Sequence, residues 1–169
     1  SLTILLVYLL ARKTLSPSVG LVAAWFSALT PFLIQLAHFA VTESMLAFWA
    51  ILLTLKALSL FKKPTIIRTF SISVLYAAAV ATKISAVSFI LIPLSALFFS
   101  LWKTRKTLFA LLVLLFLLSS FILYLTFSPY TFFSWNKFME SMHYEGGIVS
   151  GKLLVVYVYQ FLHTKPYVY

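Results

Sequence analysis

The chain has no cysteine, and only three of its 169 residues are acidic: Glu43, Glu140 and Glu145. Without cysteine, disulfides and thiolate chemistry are excluded within it. It has no Walker-type phosphate loop, no GxSxG nucleophile elbow and no HExxH metal motif. There is no internal repeat and no Gly- or Ser-rich linker. Charge of either sign is scarce, at 9% of residues, against about a quarter in a soluble domain. Hydrophobic residues fill the gap, at 63%. A soluble domain of this length has too little interior to hide so much apolar surface, so lipid must solvate part of it.

The scarce charge is nearly all positive, and the net charge is +10. In a soluble protein that balance points to nucleic acid. Here the cations occur as short clusters between apolar runs, with no basic stripe that could track phosphates. The reading is therefore topological, with Lys and Arg holding loops on the cytoplasmic side and no nucleic-acid partner.

A span needs about 20 mostly apolar residues. The runs that qualify, wholly or in part, are 1–11, 18–38, 44–61, 66–82, 84–102 and 107–127. They predict an all-α, polytopic transmembrane bundle of about five complete spans plus one partial. Residues 128–169 are of mixed polarity and are expected to form an aromatic outer segment. Its apolar stretch 153–162 is too short to span and suits an interfacial position. The first residue is Ser1 rather than Met and opens inside an apolar run, and Tyr167-Val168-Tyr169 reads as an interruption, so the chain is expected to be part of a longer protein.

Alternating the spans places Arg12, Lys13, Lys62, Lys63, Arg68, Lys103, Arg105 and Lys106 on one side, the cytoplasmic one by the positive-inside rule. Lys56 lies near enough to that end of its run to snorkel. All three acids and the histidines His38, His143 and His163 fall on the opposite, extracytoplasmic side. Sites are therefore expected there, in a multi-pass protein of the cell membrane.

Three groups on that side can carry chemistry. The first is the short loop His38 to Ser44 around Glu43. A carboxylate at a membrane face can act as a base, a metal ligand or an anchor for sugar hydroxyls. Alternatively, Thr42 or Ser44 caps the next helix and Glu43 sits in its first turn, where the dipole favours an anion. The second is Thr82-Lys83, the one basic position between spans on the outer side. It suits either a lipid phosphate or simple snorkelling to headgroups. The third is the aromatic tail, with Tyr130, Trp135, His143, Tyr144, Glu145, Tyr157, Tyr159, His163 and Tyr167. Such a surface suits carbohydrate or lipid headgroups, and equally the ordinary aromatic belt. His143 and Glu145 are too few to define a metal site, so no metal ligands are assigned and a divalent metal is left open as a cofactor.

The residue order resembles the multi-spanning GT-C glycosyltransferases, in the group of protein O-mannosyltransferases and lipid A aminoarabinose transferases. The resemblance rests on Thr30-Pro31-Phe32 leading to His38-Phe39-Ala40-Val41-Thr42-Glu43-Ser44. It continues in Ala79-Val80-Ala81-Thr82-Lys83-Ile84-Ser85 with Pro93, and in Ser128-Pro129-Tyr130 with later Gly151. It implies transfer of a sugar from a polyprenyl-phosphate donor, within the bilayer, to an acceptor on the outer face. Glu43 would be an auxiliary catalytic acid, with His38, Lys83, Tyr130, His143 and Glu145 binding substrate. The resemblance places the leading catalytic acid in an outer loop preceding this region, so this piece alone would be inactive. The alternatives are a transporter or flippase, which needs polar or broken-helix sites near the midplane, and a non-catalytic membrane scaffold.

Overall fold

The structure, a computed structural model, describes residues 2–39 and 41–153. Expectations about 153–162 beyond Leu153, and about Tyr157, Tyr159, His163, Pro166 and Tyr167, lie outside the described residues. The described residues contain helices and turns and no strand. They fall into two compact units, residues 1–127 and 128–169.

The first unit begins with α1 (Leu2–Thr14) and α2 (Pro17–Leu29). Ser16 caps α2 by accepting from the Val19 amide at 3.3 Å, with Pro17 at the first helical position. Gly20 faces Tyr8 on α1, where a Cβ would lie 3.0 Å from both the ring and the carbonyl. A larger residue there would push the two helices apart.

The expected span 18–38 is two helices. Pro31 has no N–H to donate and holds Thr30 in extended backbone, so the chain restarts as α3 (Pro31–His38). The two pieces bend by 59°. α4 (Thr42–Lys62), α5 (Ile66–Thr82), α6 (Leu91–Leu101) and α7 (Lys106–Phe127) complete the unit. Thr65 caps α5 by accepting from the Arg68 amide. A 3₁₀ segment, Ile84–Ile90, leads into α6. Pro93 accounts for that change of helix type, because it deprives the Phe89 carbonyl of its α-helical donor and belongs in a first turn.

Three segments are long and apolar enough to cross a membrane: Thr42–Lys62, Ile84–Leu101 and Lys106–Phe127. Counting the bent pair as one span makes four, against the five complete spans expected. α5 has 17 residues and falls short by length alone. Yet it matches α4 at both ends. The Arg68 guanidinium donates to the Ser59 carbonyl at one end, and Lys83 pairs with Glu43 at the other. The two helices therefore share a height of about 22–24 Å at 1.5 Å per residue.

α4 to α7 enclose the core. Leu53, Leu60, Ile72, Leu97, Leu112 and Phe116 are fully buried. Thr69, Ser73 and Ala77, four residues apart, are the small side of α5 that admits α7. Ser73 donates to Thr69 O at 2.9 Å, so its hydroxyl is satisfied within its own helix. α7 is apolar all round: Leu112 and Phe116 face inward, while Leu111, Leu114, Leu118, Phe121 and Ile122 are exposed. That outer face would be a large apolar patch in water and is ordinary in lipid.

The second unit contains α8 (Tyr130–Phe133) and α9 (Trp135–Val149). The segment expected as an aromatic one of mixed polarity is thus helical over most of its described residues. Gly146 and Gly147 are tolerated near the end of α9, which closes at Gly151 with a positive φ of 71°.

Candidate functional site

The site grows from two helix ends that meet. α4 begins after Val41, whose side chain makes no cap. The expected caps are corrected. Ser44 Oγ donates back to Val41 O at 2.8 Å, and Thr42 Oγ1 donates to Glu43 Oε2 at 3.3 Å. Both hydroxyls thus find oxygens rather than the free amides of the first turn. Glu43 does lie in that first turn, where the helix dipole favours a carboxylate. Lys83 follows α5 in extended backbone, with its amide donating to Ala79 O at 3.2 Å. A cation there complements the carbonyl end of α5.

Lys83 Nζ donates to Glu43 Oε1, forming the ion pair. Two residues singled out separately, 40 positions apart, are thus one charge pair. Its side chains keep 42% and 43% of their exposure. An exposed pair of this kind adds less than about 1 kcal/mol to stability, and each partner remains within reach of a ligand.

A second bond lies alongside. Trp49 Nε1 donates to Thr82 Oγ1 at 3.0 Å, and Thr82 Oγ1 donates to Ala78 O at 2.8 Å. Trp49 was not among the residues expected at the site. The available signal was an indole well inside an apolar helix, which needs an acceptor when buried.

Next to both bonds is a cavity of about 1040 Å³. The start of α1, the end of α2, α3 and the first two turns of α4 form its walls, and Thr82 closes one side. The bend at Thr30-Pro31 makes this room, because α3 veers from the line of α2. Most walls are aliphatic or aromatic, such as Leu33, Leu36, Met45 and Phe48. Polar groups come from Thr3, Ser27, His38, Thr42, Ser44, Trp49 and Thr82. Thr42 and Thr82 adjoin Glu43 and Lys83 in sequence, so the ion pair stands at the polar margin of the cavity. The His38 ring meets Phe39 edge-on, with centroids 5.3 Å apart. A mostly apolar hollow with a few convergent polar groups is the usual form of a ligand site.

The other expected site residues belong to the second unit. Tyr130 opens α8 and is exposed, as are His143 and Glu145 on α9. Two residues apart on a helix, His143 and Glu145 project about 200° from each other. They cannot grip one ion, so the weak metal reading of His143-Tyr144-Glu145 is dropped. Among the described residues no group of three or more His, Asp or Glu side chains could hold a metal.

Comparison with protein-family models, curated proteins and solved structures finds no match for the chain.

Proposed function

We propose that the chain is the membrane-embedded frame of a GT-C-type glycosyltransferase, moving a sugar from a polyprenyl-phosphate donor to an extracytoplasmic acceptor. One observation carries the reading: the Glu43–Lys83 pair stands beside an apolar cavity, at the end of the helices away from the basic clusters. The matched ends of α4 and α5 support counting α5 as a further span of a multi-pass protein. A height of about 24 Å approaches the hydrocarbon thickness of about 30 Å.

The chemistry follows from the charges. The donor's anomeric carbon is bonded to a phosphate oxygen. Transfer forms a bond from that carbon to an acceptor hydroxyl oxygen and breaks the bond to the phosphate, which leaves as an anion. Lys83 holds that phosphate, and in doing so it releases Glu43. The freed carboxylate accepts a hydrogen bond from the acceptor hydroxyl and orients it, an auxiliary role, while the hydroxyl proton passes to the leading catalytic carboxylate that the GT-C resemblance implies in the preceding outer loop. The cavity takes the first isoprenoid units, and His38, Thr42 and Ser44 offer hydrogen bonds to the sugar.

A transporter or flippase is the second reading, and the 59° break next to the cavity favours it. Against it, no Asp, Glu, Lys or Arg lines that cavity. The intact protein in liposomes, supplied with labelled polyprenyl-phosphate sugars, separates the two. Transfer to an acceptor supports the enzyme. Lipid translocation without transfer supports the flippase, and neither outcome from any donor overturns both.

A further inference from the structure

The opposite end of the helices holds a cluster of cations that the proposed reaction does not use. Its centre is Ser59, in the last turn of α4. Lys13 Nζ, from the end of α1, donates to Ser59 Oγ at 2.7 Å and to Leu55 O at 3.4 Å. The Arg68 guanidinium, from the start of α5, donates to Ser59 O and to Lys63 O. One serine thus accepts from two cations, one on each of its oxygens. Those oxygens belong to a single residue, so the two charges lie within about 9 Å of each other. Arg12 stands over the Tyr8 ring at 5.9 Å, with Lys62 and Lys63 close by in sequence.

Nothing in this unit neutralises them. Its one carboxylate, Glu43, is at the other end and is paired with Lys83. Every acceptor reached by Lys13 and Arg68 is a neutral oxygen. Like charges this close, beside apolar helices that thin the surrounding water, favour an external anion.

The shape beside the cluster indicates what kind. A cleft of about 400 Å³ runs between α1 and α4, lined by Leu9, Arg12, Lys13 and Leu55. Arg12 and Lys13 give it two cations and Leu9 and Leu55 an apolar wall, the two chemistries that a phospholipid's headgroup and first methylenes require.

We infer that this cleft binds one anionic phospholipid, its phosphate held by Arg12 and Lys13 and the start of an acyl chain lying along Leu9 and Leu55. Arg68 and Lys63 add to the field without needing to touch the lipid. The site is independent of sugar transfer and needs only that the helices sit in a bilayer. The charge clusters of a basic membrane face attract anionic lipids generally. The cleft makes the stronger claim of one retained molecule.

Native mass spectrometry of the full chain, extracted into mild detergent and mixed with phosphatidylglycerol or phosphatidylcholine, tests it. Phosphatidylglycerol should remain as one extra bound molecule at collision energies that strip phosphatidylcholine. R12Q/K13Q should lower its retention at least tenfold, whereas K103Q/R105Q, with the same loss of charge, should lower it less than twofold. R12Q alone, which spares the Lys13–Ser59 bond, should give an intermediate loss and guards against misfolding of the double variant. Equal retention of the two lipids would overturn the inference. So would equal losses in the two double variants, which would mean a diffuse charge effect. Competition by inorganic phosphate as effective as that by the lipid would show an anion site without a lipid requirement, and would overturn it too.

Discussion

The two ends of the unit formed by residues 1–127 handle charge in opposite ways. At one end a single carboxylate meets a single ammonium, each on the helix terminus whose dipole favours it, beside a large apolar hollow. At the other, Lys13 and Arg68 converge on the neutral oxygens of Ser59. The first end is balanced and can exchange partners, since a phosphate for Lys83 and a hydroxyl for Glu43 replace what each gives up. The second is unbalanced and can only gain an anion. The contrast teaches that the sparse charge of an apolar protein is placed, and that the pairing of each charge says more than its sign.

The contrast can be broken most severely at the balanced end. In the intact protein, Glu43→Gln and Lys83→Gln should each lower initial rates of sugar transfer by about tenfold or more. Lys103→Gln and Lys106→Gln should leave them within about twofold, since those side chains lie at the remote end. Equal losses at both ends would remove the distinction.

A smaller effect is expected from the indole bond beside the pair. Trp49→Phe leaves Thr82 bonded only to its own helix and should cost about 1 kcal/mol, as for a typical lost hydrogen bond. Thr82→Val should cost a similar amount, and the double variant should cost little more than either, because both remove one interaction. Thermal unfolding in a fixed detergent reads all three. Additive losses would mean that the bond does not hold the helices together.

The smallest effect is exchange of the pair itself. Glu43→Lys or Lys83→Glu alone sets like charges together. The swapped double variant restores opposite charges but places both on unfavourable helix ends. Its unfolding temperature should recover only partly, with a coupling below about 1 kcal/mol. Full recovery would deny the dipole its part in the placement.

The helical class and the gathering of Lys13 and Arg68 at one end of the helices could be read from apolar runs punctuated by Lys and Arg. α4 and α7 follow 44–61 and 107–127 to within two residues at either end. The break at Pro31 was harder to see, because an all-apolar run has no periodicity to show where its axis turns. Glu43 and Lys83 each stood out as exceptions, one as an acid in a chain with three and the other as the odd cation between outer ends. That they touch depends on which spans are neighbours, and chain order does not reveal that. Trp49 was hidden among the many aromatic residues of the apolar runs. Residues 135–149 stood out only as mixed in polarity, because Gly146, Gly147 and scattered charge weaken the helical pattern, yet they form α9.

The whole account depends on the two ends facing opposite sides of a membrane. The absence of cysteine makes this directly measurable, because a thiol introduced into this chain has no background. Phe39 and Thr104 are both exposed, at opposite ends. In intact cells a membrane-impermeant maleimide should label Phe39→Cys, and it should label Thr104→Cys only after the membrane is opened. Labelling of both from the same side, or in the reverse order, would contradict the account.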